Sequence, residues 1–312
     1  MLLKKKYGVK LLFVALLVLP WVQAIGQQKG EELFKEDSFY LNGLEQKIMT
    51  AVKQQKPKTI SQIQIETKSL VDDQPASLSL PTTNNSNILN PEEIYAQNKS
   101  AVLIVGRLNH ANPELAPMAD PIATAFFISE DGIAVTNRHV FGEMIHSKKS
   151  VDSLKLSKDS SLYYVQNSEG DIFTIDKILA YSASNDVLIF KVNTGNKKVS
   201  FIPLGNPLPV GSKVFVIAHP EQNYYFLSEG IVAKNSKLVN PANPKQRQWR
   251  MTITADYAVG SSGGPIMNSS GNLVGIVSST SNIYGSKTEK IPLQMVLKNA
   301  ISVIAIKELF KP

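Results

Sequence analysis

From about Ser100 onward the chain is a succession of short apolar or alternating runs broken by turn residues, and that texture leaves few folds open. The runs "SAVLIVGRL", "IATAFFIS", "GIAVTN", "DIFTIDKILAYS", "DVLIFKV", "KVFVIAH", "FLSEGIVAK", "WRMTITA" and "LVGIVSS" follow one another through this region. Most are too short for a helix that could bury a full face. Their β-branched and aromatic residues suit a pleated, half-buried surface. Turn signals such as Glu130-Asp131-Gly132 stand between them. Strands that recur at about ten-residue spacing predict an all-β fold, a sandwich or a pair of barrels. One stretch reads differently. "PLQMVLKNAISVIAIKELF", with Pro292 near its start, predicts a C-terminal helix. No self-similarity at solenoid periods is present.

The first residues set the compartment. Lys4, Lys5, Lys6 and Lys10 precede "LLFVALLVLPWVQA", a basic start, a short apolar run and a small residue at a cleavage point after Ala24. Residues 1–24 are therefore expected to be a signal peptide. The apolar run is short for a bilayer and is interrupted by Pro20, so no stable membrane anchor is expected after cleavage. The chain has no cysteine, which rules out disulfides and lipid attachment at a cysteine. An exported chain without disulfides points to a bacterial envelope protein, periplasmic or secreted. The formal net charge is +7, but four lysines lie in the leader and the remainder carries +3. That is an ordinary solvated surface and makes no case for nucleic acid.

Residues 25–90 read as an N-terminal extension and linker: a mobile arm, a pro-segment or a docking arm. A weak helical stripe of Leu41, Leu44, Ile48 and Val52 is interrupted by Gly43. Residues 74–90 carry no charge and are rich in Ser, Asn, Thr and Pro. A helix is expected to start at Pro91, capped by Asn90, with Glu92 and Glu93 in its first turn. Residues 91–312 form the remaining domain.

The chemistry is concentrated in "GSSGGP", residues 260–265. Gly260, Ser262 and Gly264 fit G-x-S-x-G, but the fold that uses that turn orders its triad serine, acid, histidine. All four histidines here precede Ser262. The opposite order, histidine then aspartate then serine, does fit. His139 ends the run "GIAVTNRHVF", Asp186 opens "DVLIFKV", and Ser262 lies in the glycine turn. Asp171 and Asp176 are competing acids. Serine needs an adjacent base to become a nucleophile. Imidazole takes that proton near neutral pH, and a carboxylate orients the imidazolium that forms. The glycines leave room for two backbone N–H groups to converge on one oxyanion, and those of Gly260 and Ser262 are the natural pair. His110, His146 and His219 have no comparable context. No histidine spacing suggests a metal site, so neither metal nor cofactor is expected.

"ATAFFISEDGIAVTNRHV", "SNDVLIFKV" and "GSSGGPIMNSSGNLVGIVSST" together resemble trypsin-like serine peptidases. They look nearest to the bacterial branch that includes the protease part of the Deg/HtrA proteins. The resemblance covers roughly residues 95–305 and makes residues 91–312 a trypsin-like peptidase domain. It implies a chymotrypsin-like double β-barrel with the site in the cleft between barrels. His139 would be the base, Asp186 its orienter and Ser262 the nucleophile. Two departures stand out. Ser261 occupies the place of an aspartate that pairs with a cut N-terminus in digestive relatives, so activation through that ion pair is not expected. With fifty residues after Ser262 in this sequence, the PDZ domain of Deg/HtrA relatives is not expected. Asp256, six residues before Ser262, falls where trypsin-type enzymes place a pocket acid selecting Arg or Lys, unless it only caps a turn while Tyr257 fills the pocket. Ser278 matches a pocket-wall serine that also touches the catalytic aspartate. Three functions follow: a serine endopeptidase acting on proteins or peptides, a non-catalytic binding protein of the same fold, or an esterase-type acyl hydrolase.

Overall fold

The computed structural model describes residues 34, 36–78, 80, 85–109, 118–145, 161–286, 288 and 291–310. The expected signal peptide, His110 and His146 lie outside the described residues. Residues 36–42 are a separate small unit holding one 3-10 turn, Asp37–Tyr40.

Among the described residues, twelve strands make two closed barrels of six. In the first, β1 (Val102–Asn109), β2 (Met118–Phe127), β3 (Ile133–Thr136), β4 (Leu162–Gln166), β5 (Ile172–Ser182) and β6 (Val187–Asn193) close in the order β1-β2-β3-β6-β5-β4. The second uses β7 (Lys213–Ala218), β8 (Phe226–Asn240), β9 (Asn243–Ile253), β10 (Pro265–Met267), β11 (Leu273–Tyr284) and β12 (Leu293–Ser302), closing as β10-β11-β12-β9-β8-β7. All pairings are antiparallel. Closure removes every sheet edge from the barrel bodies. The all-β double barrel expected from the sequence is the fold observed.

Each barrel encloses its own core. Phe127, Phe141, Phe173, Phe190, Leu103 and Val165 fill the first, and Val214, Val216, Met251, Ile253, Tyr257 and Ile266 the second. Gly106 in β1 is required by contact: a Cβ there would lie 2.2 Å from the Tyr164 ring. That ring fills the space between β1 and the helix Leu44–Gln55.

Residues 44–78 are not a free arm. Helix α1 (Leu44–Gln55) buries Leu44, Ile48 and Ala51, one face at helical spacing. Gly43 does not interrupt it but starts it, at φ +64°. Gln55 reaches β5, donating to Ile172 O at 3.2 Å and accepting from Thr174 N at 3.0 Å. Helix α2 (Ile60–Glu66) opens with a reciprocal capping box between Thr59 and Gln62. Its Ile60 and Ile63 are buried in the first-barrel core beside Phe141 and Met144. Ile63→Ala is expected to cost about 2–5 kcal/mol and lower Tm by roughly 5–15 °C, as a thermal melt would show. The chain then crosses to the second barrel, where Ala76 N donates to Leu309 O and Leu89 N to Ser269 O. Helix α3 (Pro91–Asn98) begins as expected, with Asn90 capping Glu93 N and the Glu93 side chain returning to Asn90 N.

The C-terminal expectation is corrected. Residues 293–302 are strand β12, and only Val303–Lys307 is helical. β12 closes the second barrel between β11 and β9, and its Ala300 and Ile301 are buried there. Sheet closure supplies hydrogen bonds and burial that outweigh an intrinsic preference worth a few tenths of a kcal/mol per residue.

Candidate active site

His139 follows the end of β3 and Asp186 lies in the loop just before β6. Those two strands are paired, with Thr136 opposite Leu188, so adjacent ladder ends deliver both residues to one place. Asp186 is left-handed at φ +58°, a conformation an aspartate adopts at a cost on the order of 1 kcal/mol. Four hydrogen bonds hold it there. Its carbonyl accepts from Arg138 N at 3.1 Å and from Asn137 Nδ2 at 3.0 Å. Its carboxylate accepts from His139 N at 2.9 Å through Oδ1 and lies 2.8 Å from His139 Nδ1 through Oδ2. The ring is thus held with Nδ1 on the acid, and Nε2 has no hydrogen-bond partner among the described residues. Asp171 and Asp176 are engaged elsewhere, by Asn167 and Lys58.

The hydrogen bond that His139 donates to Asp186 raises the His139 pKa above its ordinary value, against the smaller opposing effect of partial burial. A raised folded-state pKa means the proton stabilises the fold below the unfolded value near 6.5, and that contribution disappears as pH rises through the folded value. For a base the consequence is activity. Only neutral His139 can accept a proton, so kcat/KM is expected to rise with pH through a midpoint above about 6.5. A pH–rate profile checks this.

Ser262 is carried by a turn clamped onto the first barrel. Thr124 N donates to Ser262 O at 2.9 Å, and Thr124 Oγ1 donates to Gly260 O at 2.9 Å. Thr136 Oγ1 in turn donates to Thr124 O at 2.8 Å. Gly263, at φ +84°, sits so tightly here that a Cβ would meet Thr124 O and Thr136 Oγ1 at 2.2 Å. Thr136 is three residues from His139, so the serine turn rests on the strand end that bears the imidazole. The Ser262 hydroxyl donates to Ser278 O at 3.4 Å, a weak bond, and makes none to His139 Nε2.

Ser278 is the extra residue of a bulge, since Val277 pairs with Ala300 and Ser279 with Asn299. The structure thus places Ser278 beside Ser262, through its carbonyl. No hydrogen bond joins Ser278 to Asp186 among the described residues.

Gly260 is also fixed. Glu221 N donates to Val259 O at 2.7 Å. In a trans peptide the N–H points opposite to the C=O, so Gly260 N–H is turned away from Glu221. Neither Gly260 N–H nor Ser262 N–H has an acceptor among the described residues, and both residues are half-buried. Gly260 has φ +89°, and a Cβ would lie 2.4 Å from His219 O. Gly260→Ala is expected to displace this peptide and lower kcat about 10²–10³-fold, measured on a peptide substrate. Ser261 is fully buried and accepts from Ala258 N at 3.4 Å.

The model of the family described as "Trypsin-like peptidase domain" matches residues 123–276, which contain His139, Asp186 and the Ser262 turn. Residues 123–276 thus match a trypsin-like peptidase domain. It is 27% identical over 158 residues to "Protease Do-like 5, chloroplastic" of Arabidopsis thaliana, covering 50% of this chain and 47% of that one. To "Probable periplasmic serine endoprotease DegP-like" of Chlamydia trachomatis it is 24% identical over 184 residues, 58% of this chain and 32% of that one. These alignments span half or less of each relative's length. Among solved structures, "HtrA-type protease AlgW with decapeptide" matches with TM-score 0.52 at 16% identity, covering 71% of this chain and 66% of that one. This likeness supports the double-barrel fold of the peptidase domain.

One expected pocket residue is corrected. The Asp256 side chain is 83% exposed and faces Lys298 Nζ at 3.3 Å. It is therefore not a buried, unpaired acid at a pocket floor. Tyr257 instead points into the core, its hydroxyl donating to Asn299 O at 2.6 Å. His219, assigned no role, is enclosed. Its Nδ1 accepts from Tyr225 N at 3.0 Å, and burial pushes its pKa down to about 3. It stays neutral and fixed at working pH.

Other residues of the peptidase domain support the site from far along the chain. Arg250 Nη2 donates to Ser184 O at 2.8 Å, while Asn185 bridges Arg247 O and Trp249 N, both at 2.9 Å. The β8–β9 hairpin thus grips the loop that ends in Asp186. No local pattern marks these residues, because each contact spans more than sixty positions. Among the described residues no cluster of acids and histidines could hold a metal, and no helix is long and apolar enough to cross a membrane.

Proposed function

We propose that the chain is a serine endopeptidase acting through an acyl-enzyme, with Ser262 as nucleophile, His139 as base and Asp186 as its orienter. The observation that carries this is the double grip of Asp186 on His139, at its backbone N–H and at Nδ1, beside a serine turn clamped to the same strand end. The Ser262 hydroxyl leaves its weak contact with Ser278 O and donates to His139 Nε2, a step that substrate binding favours. Oγ attacks the scissile carbonyl carbon as its proton passes to Nε2. The oxyanion is met by the N–H groups of Gly260 and Ser262. The C–N bond then breaks, the amine takes the proton from Nε2, and an ester on Ser262 remains. Water, deprotonated by His139, attacks the ester and releases the acid.

Substrates are peptides or proteins in extended form. With Asp256 exposed and countered by Lys298, Arg or Lys selectivity has no support from this residue. The basic, apolar leader at residues 1–24 supports export to the periplasm or beyond. A fluorophosphonate probe tests the reading. One adduct per chain, on the peptide containing Ser262, is expected, and an unlabelled folded protein would overturn it. Hydrolysis of casein fragments against a simple ester separates the endopeptidase from an esterase.

A further inference from the structure

The loop that bears Asp186 and the turn that bears His139 are both tied to residues 67–73, outside the matched peptidase region. A tight turn, with Gln74 N donating to Val71 O and Asp73 at φ +59°, presses Asp72 against residues 181–183. Asp72 Oδ1 accepts from Ala183 N at 2.7 Å, and Asp73 N donates to Tyr181 O at 3.0 Å. At the other end, buried Thr67 directs its hydroxyl to Gln64 O at 2.9 Å and Met144 O at 3.1 Å. Met144 closes the 3-10 segment Arg138–Met144 that begins with the residue before His139. Just ahead of Thr67 in the chain, Ile60 and Ile63 pack on Phe141 and Met144 of that same segment. One stretch of chain thus holds both halves of the dyad from behind.

We propose that Asp72, with Thr67, is a positioning residue for the His139–Asp186 dyad: residues 67–73 clamp the two loops so that the Asp186 carboxylate stays on the imidazole. The proposal rests on the catalytic reading given above. Its physical basis is strain. Asp186 keeps a left-handed backbone only while its surroundings over-determine it. His139 N–H holds its carboxylate, while Arg250 on Ser184 O and Trp249 N on Asn185 Oδ1 hold the two residues before it. Asp72 supplies the hold on the residues leading in. Removing that acceptor leaves Ala183 N–H unpaired and lets residues 182–185 relax, which draws the carboxylate off Nδ1.

The charged and titratable groups around the dyad are Asp186 itself, Arg250 facing Asp186, Arg138 over the Tyr181 ring, and Asp72 and Asp73 near Tyr181. A test must therefore separate position from charge. Asp72→Ala removes acceptor and charge, whereas Asp72→Asn keeps the acceptor and removes the charge. In the full chain, fluorophosphonate labelling is expected to slow about tenfold in Asp72→Ala and to remain within about twofold of wild type in Asp72→Asn. The second readout needs no activity: the NMR titration midpoint of His139 in a Ser262→Ala background. It is expected to fall toward about 6.5 with Asp72→Ala and to stay put with Asp72→Asn. Equal effects of Ala and Asn, or no effect of Ala on either readout, overturn the proposal. Thr67→Val keeps the side-chain shape and tests the second anchor by the same two measurements, with the same expected direction. A wild type that is never labelled, but whose His139 midpoint falls with Asp72→Ala and holds with Asp72→Asn, would sink the peptidase reading and leave the clamp standing.

Discussion

Ser262→Ala is expected to lower kcat for peptide hydrolysis by a factor on the order of 10⁶, with Tm nearly unchanged. The residue is half-buried and, among the described residues, its hydroxyl makes only the 3.4 Å contact with Ser278 O, so little stability is at stake. His139→Ala is expected to cost about as much, because a serine hydroxyl without a base is a poor nucleophile. The more telling result is the pair. Groups that act as one unit are not additive, so the double variant should be no slower than either single variant. What remains would come from the Gly260 and Ser262 N–H groups and from substrate binding. A double variant slower than the singles by a further factor of about 10³ or more would mean that the two residues act independently, and the proposed proton path would be wrong.

Local physics made part of this molecule legible in the sequence. Strand texture from Ser100 onward foretold an all-β fold, a sandwich or a pair of barrels, because period two and turn residues are properties of neighbouring positions. The Asn90–Glu93 box foretold the start of α3 for the same reason. Where tertiary demands decide, local reading misled. Residues 293–302 look helical in isolation, yet they pair as a strand between β9 and β11 and close the barrel. Gly43 looked like a flaw in a helical stripe, but a left-handed residue before Leu44 is a start point. Asp256 looked like a pocket acid by its offset alone. Lys298, forty-two positions on, turns it into an exposed ion pair.

The candidate site divides in the same way. His139, Asp186 and Ser262 could be picked out because each sits at a strand end or glycine turn with a residue type that the chemistry needs. Their supports could not. Thr124, Asp72, Asn185 and Arg250 are ordinary polar residues whose meaning lies in partners 62 to 138 positions away. Even Thr136, three residues from the histidine, gains its role only once Gly263 packs against it. The chemistry is thus compact in sequence, while its geometry is distributed over both barrels and the segment at residues 59–73.

Asp186→Asn probes that geometry most sharply, and kcat is expected to fall about 10⁴-fold with the fold intact. The carboxylate does two jobs: Oδ1 accepts from His139 N, and Oδ2 accepts the hydrogen bond from Nδ1–H. An asparagine can keep the first, since its amide oxygen still accepts from the backbone N–H. Its amide nitrogen then faces Nδ1 and donates to it. The ring must accept at Nδ1 and carry its proton on Nε2, the face meant to receive the Ser262 proton. A base in that tautomer cannot act, whatever its position. The carbonyl bonds from Arg138 and Asn137 survive the change, so Tm should move little. Loss of the carboxylate also removes the main cause of the raised His139 pKa, so its NMR titration midpoint should drop. Hydroxide at high pH, acting in place of the ring, should recover part of the rate. A variant within about tenfold of wild type at neutral pH would show that Asp186 does not set the tautomer, and another acid would have to be sought.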